Sequence, residues 1–297
     1  MEIVRENSQA KHSWTSYIRA TTVGFWGVHI TALIGVLVLG FSWKGVAIAV
    51  VSYFLRMFLV TCCYHRYFAH RSFKTSRWFQ FVLALAAQSA GQKGVLWWAG
   101  HHRWHHKHSD TKLDVHSAKL RGFWYSHVGW IMRPDWNETD DSSVADLAKY
   151  PELRFLNHPA IAMMPTFVLA CFFLLLGGTM GLFWGYFVST VLLWHGSFSI
   201  NSLSHVFGNK RYETGDESRN NWFLAILTTG EGWHNNHHHF MSSANQGWHW
   251  WQVDFTFYML RLMETLGLVW DLRRPPQHII DAPRPAAVPI ETTVNAA

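Results

Sequence analysis

The chain has 297 residues, 49% of them hydrophobic and 16% aromatic, with 18 Trp, a net charge of +6 and a pI near 9.3. That length allows one large domain or two small ones, and the composition excludes an ordinary soluble protein. Cys62, Cys63 and Cys171 are odd in number and sit in apolar stretches, which excludes a disulfide framework.

The first 20 residues are charged and lead directly into an apolar stretch, the pattern of a first membrane span rather than a cleavable signal peptide. Residues 21–55 carry one formal charge, Lys44, and residues 159–209 carry none. Each stretch is long enough for two spans of about 20 residues and is interrupted by turn formers, GFSWKG and GGTMG. The expected fold is therefore all-α, with four transmembrane helices near 22–41, 46–63, 161–176 and 182–200, paired as two hairpins. Arg56 falls inside the second span and is expected to reach toward the cytoplasmic face or a lipid phosphate. Residues 78–92 are too short and polar to span, with Gln80, Gln88 and Ser89, and read either as an interfacial helix or as a core helix beneath a cap. The cap is expected from 64–158 and 201–274, completing a single domain over 1–274. Residues 275–297 are Pro-rich and read as a flexible tail.

Of 25 Lys and Arg, 3 precede the first span, 13 lie between residues 64 and 158, and 7 follow His205. The positive-inside rule places all three regions in the cytoplasm. The basic pI is then a membrane-topology signal, and no nucleic-acid partner is expected.

Nine of 20 histidines stand in tight boxes on that same side: His65 and His70 in HRYFAH, His102, His105 and His106 in HRWHH, His205 in NSLSH, and His234, His237 and His238 in HNNHH. On a helix, HxxHH projects its imidazoles from one face onto a small volume. Structural zinc needs about four ligands and catalytic zinc about three, so nine imidazoles point to two ions. Imidazole alone does not select the metal, but a lipid-facing redox reaction with dioxygen favours iron over redox-inert zinc. Glu231, Asp110, Asp114 and Asp216 are near enough in sequence to orient the rings. His101, His108, His116, His127 and His239 are extra to the set, and His195 reads as an interhelical histidine.

At these residues the chain resembles the membrane fatty-acid desaturases, most closely the stearoyl-CoA (acyl-CoA delta-9) type, over residues 53–270. The resemblance rests on HRYFAH, WWAGHHRWHHKHSD, GFWYSHVGW, NSLSHVFG and GEGWHNNHHHF in the same order, and on the four-residue gap of the first box. It implies four transmembrane helices under a cytosolic cap that holds a non-haem di-iron site. The nine histidines would be the ligands, with Asn201 acting through water. Trp98 and Gln92 would line a kinked acyl tunnel. Eukaryotic members carry Arg and Asp where this chain has Gly100 and His101, which removes a cation for coenzyme A. Arg133, Lys119 and Arg121 remain as head-group contacts.

The implied activity uses O2 and two external electrons to place a cis double bond, at delta-9, in a saturated acyl chain, with acyl-CoA as the expected substrate. Electrons would come from a separate protein: a ferredoxin, rubredoxin, cytochrome b5 or a reductase. The setting would be multi-pass in a membrane, with the site on the cytoplasmic face, a bacterial inner membrane rather than the endoplasmic reticulum. A phospholipid-linked acyl desaturase and a hydroxylase with the same boxes are the alternatives. A non-enzymatic metal carrier is disfavoured, because its ligands would line the spans rather than collect at one face.

Overall fold

A computed structural model describes residues 18–284. Three helical segments are long and apolar enough to cross a membrane: Thr21–Leu39, Trp43–Ala69 and Met164–His205. The first is α1 (Ala20–Leu39), closed by Gly40 at φ 73°. The second begins as α2 (Trp43–Leu59), where the Ser42 hydroxyl accepts from the Gly45 N–H, and widens into a π-type helix over Val60–Ala69.

The third segment, at 42 residues, would be about twice the bilayer's hydrocarbon thickness if straight. It is interrupted inside GGTMG, where Gly178 adopts φ 59°, ψ −151°. A Cβ at Gly181 would strike the Phe173 carbonyl, and one at Gly185 would strike the Phe173 ring. Residues twelve apart can touch only if the chain doubles back, so an outgoing arm (Met164–Met180) returns through Gly181–Val188 and Ser189–Ser202. The small residues let the two backbones approach closely.

Arg56 does not snorkel. It is buried, donating to the Ser189 and Thr190 hydroxyls at 3.1 and 2.8 Å and to the Ser89 carbonyl at 3.0 Å. Three internal acceptors replace water and lipid phosphate, which is why it stays inside. His195 is an interhelical histidine, 3.1 Å from His29 and 2.9 Å from His127.

The cap packs around Tyr64, Phe68, Leu96 and Leu153. Its helix α3 (Arg77–Gln88) turns Gln80 and Gln88 inward, toward the Tyr67 hydroxyl and the Leu156 and Ala162 carbonyls, and leaves Trp78 exposed. The helix α4 (Val95–His108) carries the second histidine box and α5 (His234–His239) the third. A short antiparallel ladder pairs Lys74 with Trp270 and Thr75 with Val269. The expected tail does not start at 275. Arg211 and Tyr212 donate to the Ala282 and Ile280 carbonyls and dock a helical turn at Gln277–Ile280, while residues 285–297 lie outside those described.

Candidate metal centre

The first box depends on the π-type turn. In an α-helix two residues five apart lie about 140° apart, but here the His70 N–H reaches the His65 carbonyl at 3.1 Å. That wider turn brings the two rings to a centroid separation of 4.8 Å. Arg103, inside the second box, holds the end of the turn by donating to the Phe68 and Ala69 carbonyls at 2.9 and 2.8 Å.

The nine box histidines gather into two clusters with different membership: His65, His70, His102, His106 and His237 in one, and His105, His205, His234 and His238 in the other. The expectation that each HxxHH converges on one volume is corrected here. His102 and His106 serve the first cluster and His105 the second, whereas His234 and His238 serve the second and His237 the first. Helix geometry explains the exchange, because i and i+4 lie about 40° apart while i+3 falls about 100° from i+4.

Within the clusters the Nε2 atoms face one another. His102 and His70 are 2.8 Å apart, His106 and His102 3.0 Å, His237 and His106 2.9 Å, His65 and His237 3.0 Å, and His205 and His234 3.1 Å. Bonds of about 2.0–2.1 Å to one ion at right angles leave neighbouring imidazole nitrogens about 2.9 Å apart. The Nε2 atoms of His105 and His238 are buried and have no hydrogen-bond partner. A metal ion satisfies such converging lone pairs.

The opposite ring nitrogens are held by acid groups. His65 Nδ1 lies 2.6 Å from Glu231, His105 Nδ1 2.8 Å from Asp114 and His238 Nδ1 2.6 Å from Asp216. His205 Nδ1 is 3.4 Å from Asp110, within ion-pair range but not aligned for a hydrogen bond. Glu231, Asp114 and Asp216 each fix a tautomer that leaves Nε2 free for metal. Arg66, unremarked in the sequence although it lies inside the first box, pairs with Glu231 at 3.3 Å and Asp254 at 3.0 Å. With Arg66 and Asp254 cancelling, the four orienting carboxylates would match two divalent ions charge for charge.

Burial first, and then the charge of neighbouring histidines, holds His102, His106, His234 and His237 well below the ordinary histidine range. Burial also takes His238 to about 4 against the pull of Asp216. These rings are therefore neutral at pH 7, the form that binds metal. Burial pushes His105 down as well, but Asp114 outweighs it and raises the ring. Burial would raise Asp114 and Asp216, yet His105 and His238 respectively draw both carboxyls far below their usual range.

A cavity of about 620 Å³ runs to this centre, lined in part by Gln92, Trp98, His102 and Asn201. A second, of about 40 Å³, shares Trp98, His102 and Asn201 and touches His65, His105 and Glu231. The smaller space is large enough for water or dioxygen. Trp98 donates to Gln92 at 3.1 Å and stacks on His102 at 4.9 Å, so the expected tunnel pair meets a box histidine directly.

The three expected head-group cations are elsewhere. Arg133 pairs with Asp135 at 2.7 Å, Lys119 with Glu217 at 3.1 Å, and Arg121 donates to the Tyr125 hydroxyl at 2.7 Å; none lines the large cavity. Arg19 and Lys93 line it instead, and no sequence motif marked either.

A profile of the fatty acid desaturase family matches residues 41–272. The chain belongs to the fatty acid desaturase family. The desaturase is 39% identical over 254 residues to the sn-1 stearoyl-lipid 9-desaturase of Anabaena variabilis, covering 85% of this chain and 92% of that one. It is 37% identical over 261 residues to the sn-1 stearoyl-lipid 9-desaturase of Synechocystis sp., covering 85% and 79%. It is also 39% identical over 239 residues to an acyl-CoA 5-desaturase of Anemone leveillei, covering 79% and 74%. The desaturase is thus an oxidoreductase of fatty acyl chains, and its histidine clusters suit the metal such chemistry requires.

Proposed function

We propose that the desaturase holds one iron ion in each histidine cluster and places a cis double bond at delta-9 of a saturated acyl chain. The observation that carries this is the close convergence of free Nε2 atoms in two adjoining clusters, backed by one carboxylate for each of four rings. Two relatives known as 9-desaturases, those of Anabaena variabilis and Synechocystis sp., support the delta-9 position. His65, His70, His102, His106 and His237 hold one ion, His105, His205, His234 and His238 the other, and Asn201 reaches the centre through water.

The overall reaction takes two adjacent methylenes, O2, two electrons and two protons to one double bond and two waters. Bound iron would supply the reduction of dioxygen and the removal of the two hydrogens. The chain's own residues position and shield. Trp98 and Gln92 border the cavity beside His102 and set which carbons reach the centre. The buried carboxylates keep the imidazoles oriented, and the surrounding apolar core excludes bulk water.

The four apolar arms cross the membrane four times, with the cap on the cytoplasmic face of a bacterial inner membrane, following the Lys and Arg distribution. A separate electron-transfer protein, such as a ferredoxin, rubredoxin, cytochrome b5 or reductase, supplies the electrons. Expression in a host lacking unsaturated fatty acids tests the reading. Mass spectrometry should find lipid acyl chains lighter by two hydrogens, and the purified protein should carry two irons. A product heavier by one oxygen would identify a hydroxylase instead.

A further inference from the structure

The large cavity is lined in part by the starts of two spans. One side is the first turns of α1, where Thr21 and Gly24 are exposed and a Cβ at Gly24 would meet nothing within 4 Å. The other is the entry to the third segment, where Ala160 is exposed and Phe167 is 58% exposed. Both are the first turns of helical segments long and apolar enough to cross a membrane. From there the cavity runs past Phe25 and Trp194, stacked at 5.3 Å, to Trp98 and His102.

Among the described residues, the Lys and Arg lining this cavity are Arg19 and Lys93. Arg19 donates to the Met132 carbonyl at 2.8 Å. Lys93 donates to Asn137 at 3.1 Å and lies 4.2 Å from the Trp97 ring centroid. Burial first, then Arg19, lowers Lys93 to about 7. The backbone at Lys93 is held at φ 66°, with its carbonyl receiving the Tyr64 hydroxyl at 2.6 Å. Coenzyme A brings a diphosphate and a further phosphate, which call for several convergent cations. One lysine and one arginine, both with partners, suit a single ester or phosphate group.

We infer that the desaturase acts on acyl chains still esterified in a membrane glycerolipid, admitted sideways between the start of α1 and residues 160–167, with Lys93 positioning the ester end. This rests on the desaturase reading above and names the substrate class of the same cavity.

Membranes from expressing cells retain the full chain and its electron donor, and give the test two arms. In one, isotope-labelled stearoyl chains are preloaded in phosphatidylglycerol; in the other, the label is added as stearoyl-CoA with acyl transfer blocked. Label should gain a double bond in the lipid arm, at least about tenfold faster than in the CoA arm. Product in the CoA arm alone overturns the inference and leaves the desaturase intact. No product in either arm, with iron bound, defeats the desaturase reading and this inference together.

Gly24→Trp places bulk in open space and should lower lipid desaturation about tenfold at unchanged iron content. Undiminished activity would rule out sideways entry. Lys93→Ala should raise the apparent KM for lipid more than it lowers kcat, with Lys93→Arg restoring it; an unchanged KM removes Lys93 from the head-group role.

Discussion

At the scale of single residues, the centre rests on imidazoles held from behind by carboxylates. Asp216→Asn keeps the shape but removes the charge beside His238 Nδ1, 2.6 Å away. Outer partners of this kind are worth about 10–100-fold in metal affinity, so dialysis against a chelator should strip iron from the variant at 10–100-fold lower chelator concentration. Asp110 permits a pH test. Burial opposes ionisation, but the contacts of His205 and Ser117 outweigh it and bring the carboxyl down to about 2. A carboxyl lowered on folding stabilises the protein above its unfolded value, about 3.9, and loses that contribution as pH falls through the folded one. Asp110→Asn should therefore melt below the parent at pH 6, and thermal scans should show the gap closing between about pH 4 and pH 2. The identities of the four orienting carboxylates were legible in the sequence, because Glu231 and Asp110 lie within four residues of a box and Asp114 and Asp216 within eleven of a box histidine. The buried pairing of Arg66 with Glu231 and Asp254 was not, since those partners are 165 and 188 residues away.

Among elements, the wide turn at Val60–Ala69 gives the first box its meaning. Deleting Ala69 turns a five-residue separation into four, which an ordinary α-helix satisfies, and so removes the reason for the turn. The two imidazoles would then lie about 40° apart on one helical face, the spacing that keeps His102 and His106 in one cluster, so metal analysis should find the parental iron content in a protein that still inserts in membranes. The boxes themselves were readable because they are local patterns. Their division between two clusters was not, because it depends on how α4 and α5 face each other across the cap. The same limit explains Arg133, Lys119 and Arg121, cations of the right kind whose carboxylate and tyrosine partners are set by the folded cap. The doubling back at GGTMG was legible from glycine content alone, whereas the span lengths were not: helix continues from Trp43 to Ala69, past the expected end at 63. Gly181→Leu should prevent the two arms from closing, because the clash is with the Phe173 backbone and not with a movable side chain. Loss of the folded monomer on detergent size exclusion would report it.

For the whole molecule, the arrangement predicts an uneven distribution across the bilayer. Single cysteines introduced at Lys44 and at Lys149, in a background with Cys62, Cys63 and Cys171 replaced, should be labelled by an impermeant thiol reagent from opposite sides of the membrane. Labelling of both from one side would contradict the four crossings proposed above. The ligand cage also has a cost for selectivity. Its Nε2 atoms already stand at bonding separations, so almost no rearrangement is needed to accept an ion, and the donors are nitrogen throughout. Divalent copper and zinc bind such donors more tightly than ferrous iron does. The cage therefore discriminates poorly by itself, and the identity of the bound ion becomes a matter of cellular metal supply. Cells grown with excess zinc and little iron should yield a folded, zinc-filled protein without activity, a form in which the scaffold is intact and only the redox partner of the reaction has been exchanged.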